Sequence, residues 1–433
     1  AVKIFMGFAP VGPVIVVMLG LGIAEHSGFL SALLRRMLHW LPANALTFGT
    51  VLVGVLSSIA VDAGYVVAIP LSGVIFSLAG RSPLIGIVAC FAGVSGGFSA
   101  NLMVGPVDAI LAGISTEAAH LIDADYQVSP VANYYFMIAS TFIISLLATW
   151  VTSRWVEPAL NRMSLDYFEE PSHEQSSDSQ INLQLTAKES KALKISSLAL
   201  FLFIVIIAAL VIPENGALRD VANQSIVRSP FMSGLVLLIA IGAAIAGVVY
   251  GRLSGVYQSY NQVVEGMEGA MKTLAGYLVL MFFAAQFVSL FSWSNLGAVL
   301  AVNGADVLQG LQLPMLLNVV LFVLMAASIN LVVGSASAKW AVLAPIFIPM
   351  LMLNGISPEV TQTAYRIGDS STNIITPLMP YFPLVVALIQ RYVKNAGVGT
   401  LLALMLPYSL AFLVVWSLLL ALWVGFGWPL GPA

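Results

Sequence analysis

The chain has 433 residues, 59% of them hydrophobic and only 9% charged, with a net charge of −3. A soluble globular domain carries about 25% charged residues, so this is the composition of an integral membrane protein, and the slight acidity leaves no electrostatic footprint for nucleic acid. The apolar runs are helix-length, roughly 20 residues, rather than the ~10 alternating residues of a barrel strand, which makes the class all-α and polytopic.

The chain opens almost directly in an apolar run, without a Met, a charged leader region or a small-residue cleavage site. We therefore expect native residues before Ala1 and no signal peptide. Glu25 and His26 sit in LGIAEHSGFL, read as a hairpin tip, where His26 is a turn residue before it is a proton carrier. Two polar interruptions follow inside apolar runs, at 57–64 (SSIAVDAG) and 93–101 (GVSGGFSAN), and Asp108 comes just after the second. A hydrophilic loop at about 157–194 is flanked by Arg154, Arg162, Lys188, Lys191 and Lys194, which places it in the cytoplasm. Two plain hydrophobic helices, near 195–212 and 230–250, enclose a turn-rich external loop and return the chain to the inside near Arg252 and Lys272. Two more interruptions follow, at 328–339 (SINLVVGSASAK) and 368–377 (GDSSTNIITP). A cysteine placed at Gln175 is expected to react with impermeant reagent from the cytoplasmic side, with the tail 428–433 outside; labelling from the periplasm would invert this topology.

The interruptions belong to an internal repeat. Shifted by 275 residues, positions 62–95 match 337–370 at ten of 34 positions, including Pro70, Gly80, Ser82, Pro83, Gly93 and Ser95. Shared Gly and Pro at fixed spacing carry weight because they fix backbone geometry. The organisation is then a first transport repeat at 1–155, a cytoplasmic loop at 156–194, two connecting helices at 195–272 and a second repeat at 273–433. If each half crosses an odd number of times, the halves are inverted, the architecture of secondary transporters with broken helices or re-entrant hairpins.

Irregular backbone at membrane depth is tolerated where protein buries it or water reaches it. One Ser/Gly break could be ordinary helix packing, and Arg366 could merely neutralise Asp369 three residues on. Four breaks at repeat-related positions favour a transport site. Asp369 supplies a charge costing roughly 2.5–3.5 kcal/mol at a helix centre, and Asn330, Ser370 and Asn373 supply neutral oxygens, with Ser95 and Asn101 as first-half counterparts. That donor density tilts the coupling ion towards Na⁺, at Asp369 and Asn330, over a proton. Arg366 has the planar fork for an anionic cargo. Asp108 reads as a second membrane carboxylate or a helix-end residue. Trp340 and its repeat mate Tyr65 read as core before cargo-stacking rings, Lys339 as snorkelling or paired, and Cys90 as core.

At IAVDAGYVVAIPL, FAGVSGGFSANLMVGPVDAILAGIST, VVGSASAKWAVLAPIFIPML and YRIGDSSTNIITPLMPYFPL the sequence resembles the aminobenzoyl-glutamate transporter (AbgT) family. The resemblance implies a homodimeric inner-membrane protein with nine transmembrane helices and two re-entrant hairpins. It implies ion-driven uptake of p-aminobenzoyl-glutamate or export of sulfonamide antimetabolites, and no cofactor beyond Na⁺ or a proton. It carries site roles to Asn330, Ser337, Trp340, Pro358, Arg366, Asp369, Pro377 and Asp108; of these, Arg366, Trp340, Ser337, Asp108, Pro358 and Pro377 are taken as cargo-binding. The competing readings are a transporter of another organic anion such as a dicarboxylate, a channel, and an intramembrane enzyme. The sequence offers the enzyme no HExxH or nucleophile–base pattern.

Overall fold

A chain in lipid has to satisfy its backbone N–H and C=O groups within itself, and this one does so with helices. The structure, a computed structural model, describes residues 1–8, 11–42, 45–59, 63–160, 185–213, 215–220, 229–393 and 395–432. Among these residues there is no strand, as the all-α class requires. Asp62, Arg162, Gln175 and most of the hydrophilic loop lie outside the described residues.

Five described helices are long and apolar enough to cross a membrane: Tyr134–Leu160, Ala187–Val211, Leu235–Ser254, Tyr260–Trp293 and Val398–Gly425. A sixth candidate is bent by 64° between Val11–His26 and Phe29–His39. Gly28 sits at that corner with φ 82°, and His26 stacks on the Tyr257 ring. The stretch read as a hairpin tip is thus a sharp bend between two helices. Ala187–Val211 starts at a capping box, in which Thr186 and Glu189 bond each other's backbone N–H. Arg35 reaches the same Glu189 at 3.0 Å and ties the bent span to this helix. Leu235–Ser254 lies against Val11–His26 through small residues, as membrane helices do when no solvent drives them together. Leu198, Phe201, Leu202 and Ile206 of Ala187–Val211 remain exposed.

The shorter apolar helices have 10–17 residues. At about 1.5 Å per residue they reach at most ~26 Å, short of a ~30 Å hydrocarbon core. Two hairpins form: Gly64–Leu78 pairs with Pro83–Gly96, and Ala336–Met352 with the polar helix Pro358–Asn373. The 275-residue spacing recurs here as geometry. Both turns hinge on a left-handed glycine, Gly80 at φ 72° and Gly355 at φ 77°, and in both a Ser-Pro pair then starts the second helix. Further along, Gly93 and Gly368 sit where another backbone passes: a Cβ would lie 2.4 Å from the Val51 carbonyl oxygen in one case and 2.5 Å from that of Val323 in the other. We expect Gly368→Val to destabilise the protein by about 1–3 kcal/mol through overpacking. An unchanged thermal midpoint in detergent would contradict this close crossing.

The breaks differ in kind. In the first half the backbone widens into π turns at Gly64–Ala68 and Ala92–Gly96 and then runs without helix to Gly105. In the second half Met315–Asn330 stops and Ala336–Met352 starts after a short turn. The fourth break begins later than expected: 368–373 continue the helix Pro358–Asn373, and unwinding starts at Ile374, with Pro377 and Pro380 beyond it. The polar run stays helical with several of its side chains bonded in place. Thr372 Oγ1 donates to the Gly368 carbonyl at 2.8 Å, and Asn373 is held from outside by Asn330.

Candidate functional site

Pro358–Asn373 reads PEVTQTAYRIGDSSTN, yet every residue from Thr361 to Asn373 is buried. A polar helix with no exposed face forces the centre of the bundle to be polar. Gln362, Arg366, Asp369 and Asn373 recur at helical spacing and share one side of it.

Four charged side chains are buried among the described residues: Asp108, Lys339, Arg366 and Asp369, at 3%, 3%, 4% and 2% exposure. They form two ion pairs. Arg366 Nη1 meets Asp108 Oδ1 at 2.6 Å, and Lys339 Nζ meets Asp369 Oδ1 at 2.5 Å. The intrahelical pairing of Arg366 with Asp369, the bland alternative, is not formed; each reaches to a different helix. Asp108 belongs to the first turn of Pro106–Ala119, where its second oxygen accepts from Gly105 N at 2.7 Å. It is thus a helix-capping residue and a membrane carboxylate at once.

Asn330 ends its helix beside Asp369. Its Nδ2 donates to the Asp369 carbonyl at 2.7 Å, Thr372 Oγ1 at 2.9 Å and Asn373 Oδ1 at 2.9 Å. Its Oδ1 accepts from Lys339 Nζ. The ammonium is therefore held by one oxygen of Asp369 and one of Asn330, the two groups expected to hold a cation. Three buried polar atoms nearby in the chain lack a partner: Arg366 Nε, Ser370 Oγ and Ser371 Oγ. Among the described residues no three His, Cys, Asp or Glu side chains gather as a metal site. A cation here would rest on one carboxylate plus neutral oxygens, a donor set suited to a hard monovalent ion rather than a transition metal.

The remaining candidates scatter. Trp340 is fully buried, stacked on Tyr365 at 4.5 Å, and donates from Nε1 to Ser115 Oγ at 3.0 Å. Ser115 in turn donates to Gln362 Oε1 at 2.7 Å, so Trp340 joins three helices. Tyr65 stacks on Tyr381 at 4.3 Å. Ser95 donates to Met379 Sδ at 3.1 Å, just past the fourth break. Asn101 donates to Ser58 Oγ at 2.8 Å and bonds its own backbone neighbours, closing the two first-half breaks apart from the charges. Ser337 is half-buried two residues before Lys339. Pro358 is buried at the start of the polar helix, about 16 Å along the axis from Asp369. Pro377 is exposed in the turn after it. Ser115, Gln362, Thr372 and Met379 were not anticipated. The polar periodicity through Gln362 was the available signal for one of them; nothing local marks the others.

A cavity of about 1110 Å³ lies over the start of the polar helix, lined among others by Asp123, Asp125, Tyr126 and Glu359. Tyr126 OH donates to both Glu359 oxygens, at 3.0 and 3.1 Å. Burial, reinforced by the Glu359 carboxylate, pushes this hydroxyl above its ordinary range and keeps it a donor.

Comparison with known proteins fits this architecture. A model of the AbgT putative transporter family matches residues 1–433. The p-aminobenzoyl-glutamate transport protein of Escherichia coli (strain K12) is 37% identical over 431 residues, which cover 100% of this chain and 83% of that protein. The YdaH transporter of Alcanivorax borkumensis, described as having an unusual topology, superposes with a TM-score of 0.93 at 53% identity, over 99% of this chain and 88% of its own. MtrF of Neisseria gonorrhoeae, described as illuminating a class of antimetabolite efflux pumps, does so at 0.93 with 48% identity, over 100% and 85%. With a match along its whole length and relatives that are transporters rather than enzymes, the chain belongs to the AbgT family of membrane transporters.

Proposed function

We propose that this protein is an ion-coupled secondary transporter of aminobenzene-type organic acids in a bacterial inner membrane. It takes up p-aminobenzoyl-glutamate, exports sulfonamide antimetabolites, or both, and works as a homodimer of two inverted halves per chain. The relatives' described cargoes support the substrate class. The observation that carries the mechanism is the pair of ion pairs, Arg366–Asp108 and Lys339–Asp369, buried where the broken helices meet. Charges kept at this depth are costly unless they have a role in moving something.

In this reading Asp369 and Asn330, with Ser370 and Asn373 beside them, hold the coupling ion, Na⁺ in first place. Arg366 faces the anionic end of the cargo. Asp108 accepts at Nη1, which leaves the Nε edge without a partner for a carboxylate or sulfonyl group. One cation moving with the field gains about 2.3 kcal/mol per 100 mV, enough for a tens-fold cargo gradient. The test is labelled p-aminobenzoyl-glutamate in proteoliposomes under imposed Na⁺ or proton gradients. Accumulation above equilibrium that collapses with an ionophore is expected. Equilibration without accumulation would mean a channel, and no flux of this cargo would remove p-aminobenzoyl-glutamate from the substrate assignment.

A further inference from the structure

We propose that Lys339 is a tethered cation seated in the coupling-ion site, and that the ion works by displacing it and freeing its ammonium for the anionic cargo. This rests on the coupling-site reading above and adds the residue that links ion to cargo.

The geometry points to a shared seat. Lys339 Nζ is bound by Asp369 Oδ1 at 2.5 Å and by Asn330 Oδ1. These are the two oxygens that a small cation would use, and an ammonium cannot share them with one. Ser370 Oγ, fully buried one residue from Asp369, has no partner while the ammonium is seated.

The charge count supports the exchange. With Lys339 on Asp369 and Arg366 on Asp108, two acids and two bases cancel, and no other charged side chain is buried among the described residues. The empty carrier is neutral at its centre and can reorient cheaply. A cation alone would leave the centre at +1 and a monoanion alone at −1, both penalised by burial. Together they restore neutrality, with the released ammonium and Arg366 both available to the anion. Coupling thus follows from the site having as many bases as acids.

The repeat places this seat in the second half. The positions equivalent to Lys339 and Asp369 in the first half are Gly64 and Val94. They are neighbours too: a Cβ on Gly64 would lie 3.2 Å from Val94 Cγ1. The same backbone crossing is apolar in one half and an ion pair in the other. One cation per transport cycle is therefore the expected number at this seat, which neutralises one anionic charge of the cargo.

The test uses the full chain purified in detergent, with Na⁺ as the probe and choline as the control. Wild type, Lys339→Gln and Lys339→Gln/Asp369→Asn are compared by thermal midpoint against Na⁺ and by binding of labelled p-aminobenzoyl-glutamate. Lys339→Gln should be destabilised in choline and recover with Na⁺, half-saturating at a concentration at least about ten-fold below wild type. The neutral double variant should fold and ignore Na⁺. Na⁺ should raise cargo binding in wild type, whereas Lys339→Gln should bind cargo at least about ten-fold more weakly even at saturating Na⁺. If wild type responds to Na⁺ but Lys339→Gln gains no Na⁺ affinity, or keeps the wild-type Na⁺ stimulation of cargo binding, the tethered-cation role is wrong while the coupling site stands. If Na⁺ affects neither the midpoint nor cargo binding of wild type, both readings fall.

Discussion

Asp369→Asn should lower gradient-driven cargo uptake by roughly 100-fold or more, since it removes the carboxylate that this reading assigns to the coupling cation. It should also destabilise the protein, because Lys339 keeps its charge at 1% side-chain exposure and loses its counter-ion. Removing one partner of a buried pair costs about 3–5 kcal/mol. The new amide oxygen and Asn330 Oδ1 still accept from the ammonium, so the low end of that range is expected. Adding Lys339→Gln should return most of the stability and none of the transport. That separation distinguishes a coupling role from a structural one; wild-type uptake with the same ion dependence in Asp369→Asn would place the coupling site elsewhere, with Asp108 the next candidate.

The second large effect is at the other pair. Arg366→Ala should cost about 3–5 kcal/mol, because Asp108 is left charged at 5% side-chain exposure with only the Gly105 amide to stabilise it. Arg366→Ala/Asp108→Asn should regain much of that stability without regaining cargo affinity. Arg366→Lys keeps the charge but not the fork, and should raise the half-saturating cargo concentration by about ten-fold while leaving ion dependence in place. A shift in ion dependence with unchanged cargo affinity would move Arg366 from the cargo path to the ion path.

Much of the architecture was legible in the sequence because membrane burial writes it in composition. Helix-length apolar runs announced the spans, and the Gly/Pro spacing announced an internal repeat, whose two copies share left-handed glycines at Gly80 and Gly355; two hairpins were implied by the family resemblance alone. What the sequence left open was pairing. Spacing placed Arg366 and Asp369 on one face of a helix and could suggest that they neutralise each other. Whether each instead reaches Asp108 or Lys339 depends on how three helices cross, and the residues involved are separated by up to 258 positions. The polar run at 368–373 looked like a break for a related reason. Ser, Asp, Thr and Asn disfavour helix where they compete with the backbone, but here Asn330 engages them from outside and the helix continues to Asn373. Two of the candidates lie away from the charges, Pro358 at the far end of the helix and Pro377 exposed in the turn beyond it.

The central claim is that the charged cluster around Asp369 ties cation movement to cargo movement. The most direct measurement is the flux of radiolabelled Na⁺ driven by a p-aminobenzoyl-glutamate gradient, in proteoliposomes with no imposed ion gradient. The account predicts Na⁺ movement that rises and falls with cargo flux in wild type and is absent in Asp369→Asn. Cargo flux in wild type that carries no Na⁺, or Na⁺ flux that survives in Asp369→Asn, would contradict it.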